Sequence, residues 1–115
     1  MSTTTTTADI IRASFKAWET NDRVAIEALI ADDFTFTSPN DGDDHLNRAE
    51  YFEKCWVNSG QIEKIDILNL VDNGDEAFAR YVATLEDGNR FNNAEFFTLR
   101  DGKIRSVDVY FGRTL

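Results

Sequence analysis

The sequence predicts an α+β fold: a cone of three N-terminal helices packed on a curved, mostly antiparallel sheet. Three observations carry this prediction. Apolar residues recur at helical spacing in the first half of the chain, and period-two alternation replaces them after residue 60. Three Asx-Gly pairs then punctuate the second half: Asn73-Gly74, Asp87-Gly88 and Asp101-Gly102. Gly accepts the positive φ of tight turns, so these pairs read as hairpin corners joining four consecutive strands. A curved meander wrapped around helices encloses an interior.

The elements follow in order. Residues 1–7 form a polar, threonine-rich lead-in expected to be flexible, and residues 8–115 form a single domain. Thr7 or Asp9 is placed to cap the first helix, whose apolar stripe runs through Ile10, Ile11, Phe15 and Trp18. Asn21-Asp22 ends it. A shorter second helix carries Val24, Ile26, Leu29 and Ile30, and Phe34 and Phe36 then alternate with threonines in a strand halted by Pro39. Residues 40–44 form a loop. A third helix is expected from Asn47 to Val57, with Gly60 beyond it as a left-handed terminator. The four strands IEKIDILNLVD, DEAFARYVATLE, NRFNNAEFFTLR and KIRSVDVYFG complete the chain.

Composition narrows the function classes. The chain has 115 residues, a 42% hydrophobic fraction and a net charge of −9. That apolar content excludes a disordered chain, and the negative surface repels phosphate backbones and anionic lipid. Neither a nucleic acid nor a membrane is expected as a partner. No apolar run reaches the roughly 20 residues of a membrane span, and MSTTTTTAD lacks the features of a signal peptide, so a cytoplasmic protein is expected. The single cysteine, Cys55, reads as a buried thiol. Strands apolar on both faces are usually covered on both, and helices can cover only one. A homodimer through the outer sheet face is therefore expected, with two-fold symmetry.

The candidate chemistry centres on FNNAEFFTL, where strand alternation places Glu95 on the same side as Phe91, Asn93, Phe97 and Leu99. If Asp87-Gly88 is a two-residue turn, Arg80 faces Glu95 and Phe78 faces Phe97 across the hairpin. A one-residue slip sends Arg80 to the other side. The Arg80–Glu95 pair is then either a salt bridge in a structural wall or the floor of a pocket. In the pocket, Arg80 would orient a substrate oxygen while Glu95 acts as acid or base. His45, the only histidine, is either a solvated side chain or a proton shuttle at the pocket mouth. Ser38 and Asn93 are candidate hydrogen-bonding groups. Trp18, Phe36, Tyr51, Phe52, Trp56, Phe78, Phe97 and Phe111 are candidate walls, since apolar pockets with a few polar groups are the usual small-molecule sites. No metal site is expected: DGDDH lacks calcium-loop spacing, and no paired Cys/His pattern would hold zinc. Nucleotide-binding glycine loops and nucleophile motifs are absent as well, so no cofactor is expected.

The helix pair FKAWETNDRVAIEALIADDFTFTSP, the helix NRAEYFEKCW and the closing FFTLRDGKIRSVDVYFG resemble the SnoaL-like branch of the nuclear transport factor 2-like superfamily. This branch is related to ketosteroid isomerase and the polyketide cyclases. The resemblance spans about residues 8–113 and implies the cone fold, a pocket inside it, a dimer and no cofactor. In ketosteroid isomerase an Asp just before the proline is the base; here Ser38 stands there. The oxyanion-binding tyrosine of the first helix falls at Ser14, and the protonated acid of that oxyanion hole maps to Glu95. Related epoxide hydrolases use an Asp–Arg–Asp set, which Arg80, Glu95 and Asp108 would approximate. A two-residue turn at Asp101-Gly102 puts Asp108 opposite Glu95. A bulged three-residue turn, the favoured reading, puts Val107 there and turns Asp108 outward, with Val107, Val109 and Phe111 inward.

The expected function is isomerase- or cyclase-type proton transfer on a small apolar or carbonyl-bearing ligand, without a cofactor. The alternative is a non-catalytic module of the same fold that binds a ligand or dimerises, because one fold hosts many functions.

Overall fold

The computed structural model describes residues 6–115; most of the predicted lead-in lies outside the described residues. Three helices pack on a curved, unclosed six-stranded sheet. The elements are α1 (Thr7–Thr20), α2 (Arg23–Leu29), β1 (Ile30–Thr37), β2 (Leu46–Asn47), α3 (Arg48–Lys54), β3 (Ile62–Asp72), β4 (Glu76–Leu85), β5 (Arg90–Arg100) and β6 (Lys103–Thr114). The sheet order is β2-β1-β6-β5-β4-β3, antiparallel throughout except where β1 runs parallel to β6. The short β2 is an edge strand that the sequence pattern does not announce.

Local chemistry fixes the helix ends. Thr6, rather than Thr7 or Asp9, caps α1: its hydroxyl accepts from the Asp9 N–H, and the Asp9 carboxylate accepts from the Thr6 N–H. Asp9 is thus the reciprocal partner in a capping box. Asn21 closes the helix in the left-handed conformation, φ 54°. Asn47 and Glu50 form a second capping box at α3. That helix stops at Lys54, three residues short of the expected end, and Trp56–Gln61 tighten into a 3₁₀ segment. Within this segment the Ser59 hydroxyl is tied to Asn21 Oδ1 at the end of α1. Gly60 lies inside the 3₁₀ segment and does not adopt the positive φ of a terminator.

The four long strands form the predicted meander. Along β4 the helix-facing side carries Ala77, Ala79, Tyr81 and Ala83, all buried. Their direct partners on β5 are Phe97, Glu95, Asn93 and Phe91. On β6, Val107, Val109 and Phe111 continue the same rows. Three alanines in alternation with one tyrosine leave room between sheet and helices, so the core is hollowed where β4 and β5 cross it. Ile11, Phe15 and Phe34 fill the space around that hollow.

Candidate active site

Between α1, α3 and the concave sheet face lies a cavity of about 280 Å³. Its walls are mainly apolar, and Glu95 stands on its floor. The neighbours of Glu95 across the sheet are Ala79 and Val109, neither of which offers a charge. Among the described residues its one hydrogen-bond partner is Tyr81, two rungs along β4, whose hydroxyl donates to Oε2 at 2.5 Å. Asn93 Nδ2 donates to the same tyrosine oxygen at 3.4 Å. Glu95 retains some accessible surface, but that surface opens on the cavity; the carboxyl group is otherwise enclosed by protein.

This enclosure sets the protonation. Burial pushes the Glu95 pKa up to about 7, and the Tyr81 hydrogen bond offsets only part of that rise. Tyr81 itself is pushed well above its ordinary value, first by burial and then by the Glu95 charge, so its proton stays in place as a donor. Tyr51 forms a second phenol in the cavity wall. Its ring lies edge-on to Phe34 at 4.9 Å and against Phe36 at 5.2 Å, and its oxygen accepts from Trp18 Nε1 at 3.1 Å. Burial again raises its pKa, with the Glu95 charge contributing. The Tyr51 O–H proton has no hydrogen-bond acceptor among the described residues.

Several expected site residues converge here. Glu95, Asn93 and Ser38 line the cavity. So do the aromatic side chains of Trp18, Phe36, Tyr51, Phe97 and Phe111.

Others do not. Arg80 is on the opposite, solvent-exposed face, where its Nε donates to Asn69 Oδ1 at 2.9 Å. The reason is the register: β4 and β5 are joined through three residues, Glu86, Asp87 and Gly88, so Arg80 pairs with Ala94 and Glu95 with Ala79. The one-residue slip turns Phe78 outward too, where it is exposed. His45 is also outside the cavity, exposed and paired through Nδ1 with Asp44 Oδ1 at 2.7 Å. Phe52 is buried beyond the cavity wall, with the Arg23 guanidinium 4.3 Å from its ring centre. Trp56 packs edge-on against Trp18 at 5.0 Å, supporting the wall from behind.

Asp108 pairs with Phe96 and so shares the outer face with Arg80, which removes an Asp–Arg–Asp set from the interior. The favoured turn places Val107, Val109 and Phe111 correctly inward, but Val109 rather than Val107 faces Glu95. The Asp101-Gly102 turn has two residues, and a bulge at Arg105 then shifts the register.

Tyr81 and Asp43, which sequence reasoning did not assign to the site, also line the cavity. The expected register, with Arg80 and Phe78 on the cavity side, turned Tyr81 to the other face; the observed register brings it inward, and nothing local signals the partner of its hydroxyl. Asp43 belongs to the acidic 40–44 loop, and only the folded loop brings it to Ser38, whose hydroxyl donates to Asp43 Oδ2 at 2.9 Å. Among the described residues no cluster of three metal-ligating side chains occurs. No helix among them is long and apolar enough to cross a membrane.

Comparison with known proteins agrees with this architecture. No curated protein sequence matches the chain. A nuclear transport factor 2-like protein of unknown function from Cytophaga hutchinsonii has a TM-score of 0.76 at 22% identity, covering 97% of this chain and 95% of its own. A candidate ketosteroid isomerase from Kribbella flavida has a TM-score of 0.75 at 19% identity, over 94% of this chain and 78% of its own. A candidate polyketide cyclase from Sinorhizobium meliloti has a TM-score of 0.73 at 23% identity, over 88% and 93%. These likenesses are of fold. Residues 11–107 match the SnoaL-like domain, and the chain belongs to that family.

Proposed function

We propose that the protein is a proton-transfer enzyme of the isomerase or cyclase type, acting on a small, largely apolar carbonyl compound held in the cavity. One observation carries this reading: a carboxyl group enclosed on the floor of an apolar cavity, with its pKa raised to about 7. Such a group exchanges protons near neutrality, where an ordinary carboxylate is a poor acid. Glu95 and the Tyr51 hydroxyl supply donors for a substrate carbonyl oxygen, and Tyr81 holds the Glu95 carboxyl in place. Donors set in advance around an oxygen that gains negative charge lower the barrier to enolisation. The apolar walls select the substrate body, and the chemistry proceeds with the chain's own groups.

The outer sheet face supports assembly as a homodimer. Val71 and Phe78 oppose each other there, with Tyr110 nearby on β6, and all three are exposed. An apolar face of this kind on a sheet usually meets a partner.

The test of the enzymatic reading is hydrogen exchange at the carbon next to the carbonyl of small cyclic ketones in D₂O, followed by NMR. Wild-type protein accelerates exchange, and Glu95→Gln lowers the rate by about 10²–10⁴-fold. An equal rate in the variant would remove Glu95 from the chemistry.

A further inference from the structure

Proton transfer at carbon needs two groups when the acid is committed to the carbonyl oxygen: one to hold the oxygen, one to take the carbon-bound proton. Glu95 lies on the floor beside the two phenols, which fits the first task. Of the described residues lining the cavity, the only other one with a carboxyl group is Asp43. The remaining polar groups there are poor bases: amides, hydroxyls, the Lys54 ammonium and the Cys55 thiol. Burial pushes that thiol up to about 11, so it stays protonated at neutral pH.

Asp43 is not a loose loop carboxylate. The Ser38 hydroxyl donates to Oδ2 at 2.9 Å, and the Ser38 N–H donates to the Asp43 carbonyl at 2.9 Å. The Asp43 N–H in turn donates to the Asn40 carbonyl at 3.1 Å, and the Asn40 N–H to Ser38 Oγ at 3.2 Å. These four bonds lock the turn after β1 and fix the carboxyl group half-buried against the cavity. Oδ1 makes no hydrogen bond among the described residues. Asp43 is only half-buried, and the exposed residues Asn40, Lys54 and Asn58 also line the cavity.

We propose that Asp43 is the proton-accepting base of this site, and that Ser38 is the positioning residue that aims it. The proposal rests on the reading of Glu95 as the acid at the substrate oxygen. In the forward step, Asp43 Oδ1 takes a proton from the carbon adjacent to the carbonyl. The C–H electron pair becomes the carbon–carbon π bond, and the carbonyl π pair moves to oxygen, which takes the Glu95 proton. In the return step, Asp43 delivers its proton to the same carbon or to one conjugated with it, and Glu95 recovers its own. Return of that proton to a conjugated carbon shifts the double bond with no other reactant consumed; where the proton on Asp43 first swaps with solvent, return to the same carbon gives hydrogen exchange, with water supplying the incoming hydrogen. The substrate class is a ketone with an acidic C–H, its oxygen at the Glu95 end and its reacting carbon toward the Ser38–Asp43 turn.

The experiment uses two probes on the full chain. 2-Tetralone in D₂O reports proton abstraction at carbon, and 4-nitrophenol, whose oxygen imitates an enolate, reports binding at the Glu95 end. Asp43→Asn keeps an acceptor for the Ser38 hydroxyl, so the turn survives while the base is lost. Expected are a fall in 2-tetralone exchange of about 100-fold or more in Asp43→Asn and unchanged 4-nitrophenol affinity. Added formate restores exchange in Asp43→Ala, and Ser38→Ala slows exchange while Ser38→Thr recovers it. Wild-type exchange in Asp43→Asn, with exchange lost in Glu95→Gln, would overturn the Asp43 proposal and leave the Glu95 reading standing. If wild-type protein neither exchanges 2-tetralone nor binds 4-nitrophenol, both fail.

Discussion

The Tyr81 hydroxyl donates to Glu95 Oε2 at 2.5 Å inside an apolar cavity, and that bond is the only one the Glu95 carboxyl group makes among the described residues. The two groups share one fate on titration. Tyr81 stabilises the charged carboxylate, whereas burial stabilises the neutral acid, and burial dominates. Replacing Tyr81 with Phe removes the opposing influence without opening the wall. The Glu95 titration midpoint then rises above its wild-type value of about 7. Isotope-edited infrared spectroscopy of the carboxyl stretch measures it. A midpoint that falls or stays fixed would show that the tyrosine does not donate to Glu95 in solution.

The raised pKa also makes stability depend on pH in a defined direction. The ordinary value for Glu95 is 4.5, and the folded value is about 7. Between these, the folded protein holds a proton that the unfolded chain has released. Stability therefore falls as pH rises through that window and levels off above it. The span corresponds to about 3 kcal/mol at 1.36 kcal/mol per pH unit. Glu95→Gln cannot titrate, so its stability relative to wild type improves by up to that amount between pH 4.5 and 8. Urea denaturation of both proteins across this range gives the difference, in which all other titrating groups cancel. A difference that does not change with pH would return Glu95 to an ordinary carboxylate.

The sequence revealed more of the fold than of the site, for a physical reason. Helical stripes, strand alternation and Asx-Gly corners are local, so element order and the inward face of β5 could be read directly. That placed Glu95, Asn93 and Phe97 correctly in the cavity wall. Register is not local. It depends on whether a turn closes with two residues or three, and each step flips a whole strand face. Asp87-Gly88 belongs to a three-residue connection with Gly88 at φ 88°, which sent Arg80 and Phe78 outward. Asp101-Gly102 is a two-residue turn, left-handed at both positions, but the bulge that follows moved Val109 to Glu95. The bonds that define the site, Tyr81 to Glu95 and Ser38 to Asp43, join side chains whose meeting depends on the finished sheet or loop.

Gly112 gives a prediction about the far end of the same strand pair. The regular pairing of β5 and β6 is interrupted between Asn93↔Phe111 and Phe91↔Thr114. Side-chain carbonyls stand in for the backbone there: Asn92 Oδ1 accepts from the Arg113 N–H at 2.6 Å, and Asn93 Oδ1 from the Gly112 N–H at 3.3 Å. A Cβ on Gly112 would run into the Asn92 amide oxygen and carbonyl oxygen, so the backbone of one strand would have to move. Gly112→Ala costs on the order of 1–3 kcal/mol, as overpacking does. Equilibrium denaturation measures the loss, and wild-type stability in the variant would show that the strands are farther apart than described.

The outer face supplies the last prediction. Val71 opposes Phe78, and Phe78 opposes Phe96, forming one apolar row across three strands; Val71 is 58% exposed and Phe78 41%. Arg80 and Asp108 flank this row on the same face, so a two-fold arrangement brings both charge signs to the rim around an apolar centre. If the row is the centre of a homodimer, Phe78→Glu places an unpaired carboxylate where water is excluded, a penalty of several kcal/mol against a charge that is solvated in the monomer. Dimer affinity then falls at least about 100-fold, while the monomer keeps its fold, because position 78 does not touch the cavity or the core under the helices. Sedimentation velocity over a concentration series distinguishes the outcomes. A dimeric wild type and a monomeric variant with unchanged circular dichroism support the interface. A monomeric wild type, or a variant that dimerises as tightly, would leave the row exposed on an isolated chain.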